Sequence, residues 1–485
     1  TGGDTAEAEK LLAVQSDYIR RRFDCSDFYL VYYPYILRTF GKRGSGILSE
    51  KTENELTDCL LGFRYWIDEP GNDAMWFWSE NHALMFHTCQ LLAGELFPDE
   101  VFTNSGLTGR QMQAKAKNML YDWFVTFRKE GFTEWNSSPY LPIDTLGFGS
   151  LYAFAQDPAM RELGREGMDF AYYLLAVHSQ QGIFASSSGR TYIKEQFGNW
   201  SNCPSGLSWI GYGYGVPGHA GKGITSYCLS DYEPPREFAQ WFSIPRGKEM
   251  ICQTTQGNDG YVDLYTYKTA DYMMTSANDF HPGEPGHQEN PFQLTFNAVA
   301  QLWVTHPGER VLFGAARPSY WAGNGTLPKV NQYKAFAGLI YDIAPEHPVD
   351  FTHLYLPSME FDRCEVEGKW AFVQLGSAYA AVYCSNGMRM QDFGSNKDRE
   401  CIAEGRRCIW LVRAAQADEF AAFEDFKAAM RGAALDADAE GRRYRFVDPV
   451  YGELRCQWGE TLYVNDAPMQ YSGFDNYGKL TMQEK

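Results

Sequence analysis

The chain has 485 residues, 44% hydrophobic and 16% aromatic, with a formal net charge of −18. That length exceeds one ordinary core, so two or more domains are expected. The acidic balance excludes wholesale nucleic-acid binding, and no run approaches the ~18 consecutive apolar residues that span a bilayer. The opening Thr1-Gly2-Gly3-Asp4 lacks the basic-then-apolar signature of an export signal. Eleven cysteines are scattered and include no CxxC pair, which argues against a zinc ribbon or redox motif. Their odd number favours a reducing, cytoplasmic compartment. A secreted or periplasmic location follows instead if a leader has been trimmed.

Up to about residue 220 the pattern is helical. Leu11, Leu12, Val14, Tyr18 and Ile19 recur at helical spacing within residues 6–23, and similar patterns cover 51–66, 74–97, 107–130 and 159–180. Breakers stand at Pro70-Gly71, Pro98 and Gly131. Repeated antiparallel hairpins of this kind build an α/α toroid, and about seven helices make an incomplete one. Residues 182–235, rich in Gly, Ser and aromatics around Gly211-Tyr212-Gly213-Tyr214-Gly215, read as surface loop. From about residue 238 short β-type runs follow: Gly260–Tyr267, Leu294–Phe296, Ala371–Leu375 and Ala378–Cys384, with one helix at 417–431. The fold class is therefore α+β and multidomain. An N-terminal incomplete (α/α) toroid over 1–235 precedes an antiparallel β-sandwich over 236–485.

Five segments carry side chains suited to chemistry. On a helix, Trp78, His82, Met85 and Phe86 would share one face, beside Glu80 and Asn81 near the helix N-terminus, where dipole and free N–H groups favour anions. An amide beside an imidazole can grip a carboxylate; a buried histidine satisfied by a neighbour fits the same spacing. Glu134-Trp135-Asn136-Ser137-Ser138-Pro139-Tyr140 forms a loop ending in a phenol that can act as base and acid, or pack between helices. Ser186–Tyr192 places Arg190 beside Tyr192 in a glycine-containing turn. Phe280–Asn290 carries His281, Glu284, His287 and Glu289, but at no strong metal-binding spacing. Arg317, Tyr320, Trp321 and Lys329 suit a sugar-binding rim, part of which an Asn-Gly hairpin also explains. No nucleophile elbow, P-loop or dinucleotide fingerprint is present, and nothing calls for an organic cofactor.

In this order the segments resemble the heparinase II/III-like and alginate-lyase-like polysaccharide lyases. Ser79–His82 looks like their Asn-His motif, Asn136–Tyr140 like their loop ending in a catalytic tyrosine, Arg190–Tyr192 like a further cleft segment, and Asp279–Gln288 like the loop that delivers a histidine. Gln288-Glu289-Asn290 departs from the paired His and Asp of that group. The resemblance implies β-elimination on a uronic-acid polysaccharide. Asn81 and His82, with Arg190, would neutralise the carboxylate, and Tyr140 would remove the C5 proton, with Tyr192 in reserve. Tyr140 or His287 would protonate the leaving oxygen. Trp78, Glu80, Asn136, Arg317, Tyr320, Trp321 and Lys329 would bind sugar. The expected partner is an acidic polysaccharide or oligosaccharide, with no nucleic acid and no membrane; the oligomeric state stays open. No cofactor is required, and a structural divalent metal is allowed without being expected. The alternatives are a glycoside hydrolase using carboxylates such as Glu80, Glu134 and Asp144, and a non-catalytic carbohydrate-binding protein.

Overall fold

A computed structural model describes residues 5–73, 75–198, 202–217, 222–257 and 261–485. It combines helices with antiparallel sheets and divides into two units. The first comprises Thr1–Arg128, Tyr140–Ala171 and Gly221–Pro234; the second comprises Lys129–Pro139, Tyr172–Ala220 and Pro235–Lys485. Among the described residues, no helix is long and apolar enough to cross a membrane.

The helices before residue 180 are α1 (Thr5–Arg20), α2 (Ser26–Leu30), α3 (Tyr33–Phe40), α4 (Glu50–Gly62), α5 (Glu80–Leu96), α6 (Gly109–Glu130), α7 (Leu141–Phe154) and α8 (Pro158–Val177). Local chemistry starts several of them. Ser49 caps α4 by accepting from the Thr52 amide at 3.2 Å, with Glu50 and Glu53 in the first turn. Pro142 occupies the first turn of α7, where a missing N–H costs nothing. Helices α5 and α7 are buried on nearly every face, so neither shows a clean apolar stripe. They run parallel. Near their starts Gly147 faces Leu84, where an added Cβ would come within 2.8 Å of the leucine side chain. Further along, the Glu95 carboxylate accepts from the amides of Gln156 (2.8 Å) and Asp157 (3.3 Å).

Three expectations shift. The helix expected over 74–97 begins at Glu80, because Ser79 is extended (φ −74°, ψ 150°); Trp78 therefore precedes the helix, and Ala74 lies outside the described residues. The stretch 182–235, read as loop, contains α9 (Ile193–Gln196), α10 (Cys203–Tyr212) and α11 (Ile224–Cys228). Gly213 (φ 65°) ends α10 in the left-handed conformation glycine tolerates, so part of the glycine-rich run is a helix C-terminus. The helix expected at 417–431 forms as α12 (Phe423–Gly432), after turns over 417–422. Thr1–Asp4 and Gly260 lie outside the described residues.

The strands are β1 (Ser179–Gln180), β2 (Ile183–Phe184), β3 (Lys248–Gln256), β4 (Val262–Lys268), β5 (Met273–Asn278), β6 (Phe292–Thr295), β7 (Gln301–Thr305), β8 (Lys329–Tyr333), β9 (Phe336–Asp342), β10 (Phe351–Tyr355) and β11 (Arg363–Glu367). They continue as β12 (Trp370–Leu375), β13 (Ala378–Cys384), β14 (Arg389–Met390), β15 (Glu400–Glu404), β16 (Arg407–Gln416), β17 (Leu435–Asp438), β18 (Arg443–Asp448), β19 (Gly452–Gln457), β20 (Tyr463–Val464), β21 (Ala467–Pro468) and β22 (Lys479–Glu484). A nine-stranded sheet runs β14-β15-β10-β7-β6-β5-β4-β3-β22, and a six-stranded sheet runs β11-β12-β13-β16-β9-β8. Both send side chains into one apolar core: Tyr267, Met274, Leu294 and Val304 from the first, Leu339, Phe372, Val382 and Ile409 from the second. Each such side chain, fully buried, contributes about 1.5–3 kcal/mol.

A five-stranded sheet, β17 to β21 in order, supplies Tyr444, Phe446 and Leu454 to the same core. Tyr444 packs where Gly338 lacks a side chain; a Cβ there would stand 2.4 Å from the phenol ring. Covered on both faces, β13 and β9 read as continuous apolar runs rather than alternating ones.

Candidate functional site

In the first unit, the first turn of α5 carries Glu80, Asn81 and His82. Asn81 is fully buried and His82 is 6% exposed. Its Nδ1 lies 2.9 Å from Oδ2 of Asp27 on α2, its Nε2 lies 3.9 Å from Oδ1 of Asp24, and Phe28 stacks on the ring at 4.7 Å. Burial opposes a charge on His82. The hydrogen bonds from Asp27 and Cys25 outweigh it and push the imidazole up to about 10. Burial also raises the Asp27 carboxyl, which the imidazole counteracts. The raised imidazole keeps its proton at neutral pH and faces the Asp27 carboxyl as a cation.

Tyr140 immediately precedes α7, is half-buried, and accepts through its carbonyl from the amides of Ile143 (2.8 Å) and Asp144 (2.9 Å). Because α5 and α7 are parallel, Tyr140 and His82 belong to the same end of the helix pair. Residues 222–226 lie along that end. Gly223 sits against Pro142 and Thr145, where a Cβ would be 3.0 Å from the Pro142 carbonyl oxygen, and the Lys222 ammonium lies 6.0 Å from the Phe28 ring centre. Lys222 is exposed. Trp78 is 66% exposed and meets Trp76, 52% exposed, edge-on at 5.2 Å.

In the second unit, three segments distant in sequence are laid side by side by backbone hydrogen bonds. Gly189 N–H donates to the Trp135 carbonyl (2.8 Å), Ser188 and Asn290 exchange N–H···O bonds (2.9 and 2.7 Å), and Thr191 N–H donates to Gln288 (3.1 Å). Gly189 is required here, because a Cβ would fall 2.6 Å from Nε1 of Trp135. Arg190 pairs with Glu134, and its Nη2 donates to the Tyr192 hydroxyl at 3.4 Å. The Arg317 guanidinium lies 5.5 Å from the Tyr192 ring centre. Asn136 adopts a left-handed φ of 48° and is 2% exposed, with no hydrogen-bond partner for either amide atom among the described residues. It lines a small cavity of mixed character with Ser138, Phe184, Ala185, Ser188, Thr191 and Glu195.

The remaining sequence candidates have other surroundings. His287 is exposed on the loop before β6. Lys329 is 3% exposed and paired with Asp279. Tyr320 and Trp321 are buried at 5% and 1% exposure. The Tyr320 hydroxyl donates to Glu400 at 2.6 Å, and Trp321 stacks on His353 at 4.3 Å. Glu400, lowered by its bonds to His353 and Tyr320 against the cost of burial, closes that polar centre.

Sequence reasoning missed Asp24, Cys25, Asp27 and Lys222. Asp24-Cys25-Ser26-Asp27 concentrates ligand-type side chains in four residues, a local signal. Its partner His82 stands 55 positions beyond Asp27, and no pattern along the chain links them.

No protein-family model and no curated protein matches the chain. Among solved structures it is similar to one titled "Heparinase III-BT4657 gene product", at 10% identity, covering 90% of this chain and 69% of that one, with a TM-score of 0.41.

Proposed function

We propose that the protein is a polysaccharide lyase that cleaves a uronic-acid-containing glycan by β-elimination, on a toroid-plus-sandwich architecture. The observation that carries the reading is the placement of His82 and Tyr140 at matching ends of the parallel helices α5 and α7, with His82 locked by Asp27. Abstracting a proton next to a carboxylate builds a second negative charge on the same group. A cationic imidazole and the Lys222 ammonium supply the compensation that step needs. The Tyr140 phenolate removes the C5 proton and returns it to the departing O4. Atoms balance: the C5–H and C4–O4 bonds break, a C4=C5 double bond forms, and the proton ends on the leaving hydroxyl. Exposed Trp76 and Trp78 offer flat apolar faces to sugar rings. Arg190 and Tyr192 form a second cation–phenol pair, which makes Tyr192 the alternative base.

The test is a panel of uronic-acid polysaccharides assayed for new ultraviolet-absorbing unsaturated ends. At least one polymer is expected to give them, and Tyr140→Phe is expected to abolish them. Reducing ends without new absorbance would instead establish hydrolysis, and binding without turnover would establish a carbohydrate-binding protein.

A further inference from the structure

We propose that Asp24, Cys25 and His82 form a binding site for a divalent transition metal of the zinc class, oriented by Asp27. The site shares His82 with the elimination reading but does not depend on it.

The imidazole nitrogen, the thiol sulfur and a carboxylate oxygen of these three residues all lie within 4.8 Å of one another. Nε2 of His82 and Oδ1 of Asp24 are 3.9 Å apart. Zinc binds nitrogen and oxygen at about 2.0–2.2 Å and sulfur at about 2.3 Å, so the edges of a tetrahedral site measure about 3.3–3.8 Å. The observed spacing therefore closes on an ion with side-chain movements of about an ångström or less.

Asp27 supplies an independent reason to read these groups as ligands. Its Oδ2 lies 2.9 Å from Nδ1 of His82, which turns Nε2 toward Asp24 and Cys25, where a bound ion would displace the Nε2 proton. A carboxylate behind a ligating imidazole fixes its tautomer and raises its basicity. Phe28, stacked at 4.7 Å, holds the plane of the ring. The loop is set as well. Cys25 has a left-handed φ of 66°, its N–H donates to Oδ1 of Asp24 at 3.0 Å, and the Asp24 carbonyl accepts from the Tyr18 hydroxyl at 2.6 Å.

A thiolate with an imidazole selects zinc-like ions over magnesium or calcium. Three protein ligands leave one tetrahedral position for water or a ligand carboxylate. Asp24 is half-exposed and Cys25 partly exposed, so both are within reach of solvent while His82 is buried.

The experiment titrates the full chain, stripped with a chelator and dialysed, with cobalt(II). One equivalent should produce a thiolate-to-cobalt charge-transfer band and tetrahedral d–d bands, both displaced by zinc. Cys25→Ser should lose the charge-transfer band, and Asp27→Asn should weaken metal binding about 10–100-fold. In the unmutated protein, zinc should protect Cys25 from alkylation, as read by peptide mass mapping. That measurement holds even if a variant misfolds. No band, a band that survives Cys25→Ser, or alkylation of Cys25 unaffected by zinc each overturns the proposal. The polysaccharide panel run on the same samples separates the two ideas. Cobalt bands without unsaturated ends sink only the elimination reading, and unsaturated ends without cobalt bands sink only the metal site.

Discussion

Oδ2 of Asp27 lies 2.9 Å from Nδ1 of His82, and the Asp27 side chain is fully buried with its other oxygen lacking a hydrogen-bond partner among the described residues. The imidazole is thus the main compensation for that carboxylate. His82→Ala should cost about 3–5 kcal/mol in urea denaturation at neutral pH, because it strands a buried charge. Asp27→Asn should cost less, since it removes the charge and keeps the volume. The double variant should fall well short of the sum, and simple additivity would show that the pair is not coupled. In the metal-free protein the folded His82 is raised to about 10, so its contribution is complete below the unfolded value of about 6.5 and is lost as pH rises through 10. Asp27→Asn should flatten that alkaline loss.

Acid should act through different histidines. Burial pushes His87, His178 and His306 each down to about 3. Between about pH 6.5 and 3 the unfolded chain binds protons at these positions and the folded chain does not, so stability falls as pH falls across that window. His87 gives the cleanest test, because its Nδ1 has no hydrogen-bond partner among the described residues. His87→Leu should reduce the slope of unfolding free energy between pH 6 and 4 by about 1.4 kcal/mol per pH unit, one proton's worth. An unchanged slope would mean that His87 titrates normally in the folded protein.

These two behaviours mark what could be read along the chain. The helices with exposed flanks were legible because one face meets water and the period shows. The α7 helix was not legible, because burial on all sides removes the contrast on which periodicity rests, whereas the equally buried β13 was read from its run of β-type side chains. Gly211-Tyr212-Gly213 read as loop, yet its first two residues end a helix and the third caps it. At the candidate site, Asn81, His82 and Tyr140 were visible as residue types at helix starts. What fixes the imidazole was not: Asp27 sits on a five-residue helix too short to announce itself. Tyr320 and Trp321 show the reverse limit. Their types suit a sugar rim, but His353 and Glu400, which hold them inside the protein, come from strands far along the sequence.

Lys222 and Trp78 should affect substrate capture. Lys222 is an exposed cation beside the Phe28–His82 stack. Lys222→Ala should raise KM for an acidic polymer, with the largest effect at low salt, because the Debye length is about 10 Å at 0.1 M and shrinks as salt is added. Trp78→Ala should raise KM with little dependence on salt, since stacking is not a Coulombic contact. Identical salt profiles for the two variants would remove the charge assignment from Lys222.

The base is decided by comparing the two tyrosines. Tyr140 stands at the start of α7, at the end shared with His82; Tyr192 accepts a hydrogen bond from Arg190 and lies beneath the Arg317 guanidinium. General-base catalysis contributes about 10²–10⁴-fold. Tyr140→Phe should therefore lower kcat by that factor with KM little changed, while Tyr192→Phe should leave most of kcat. The reverse pattern would transfer the proton to Tyr192 and keep elimination intact. Retention of activity in both variants would remove the phenol from the chemistry and leave a carboxylate mechanism. In that case Glu80 and Asp144, in the first turns of α5 and α7, become the groups to replace. Glu134 would not serve unchanged, because Arg190 already engages its carboxylate.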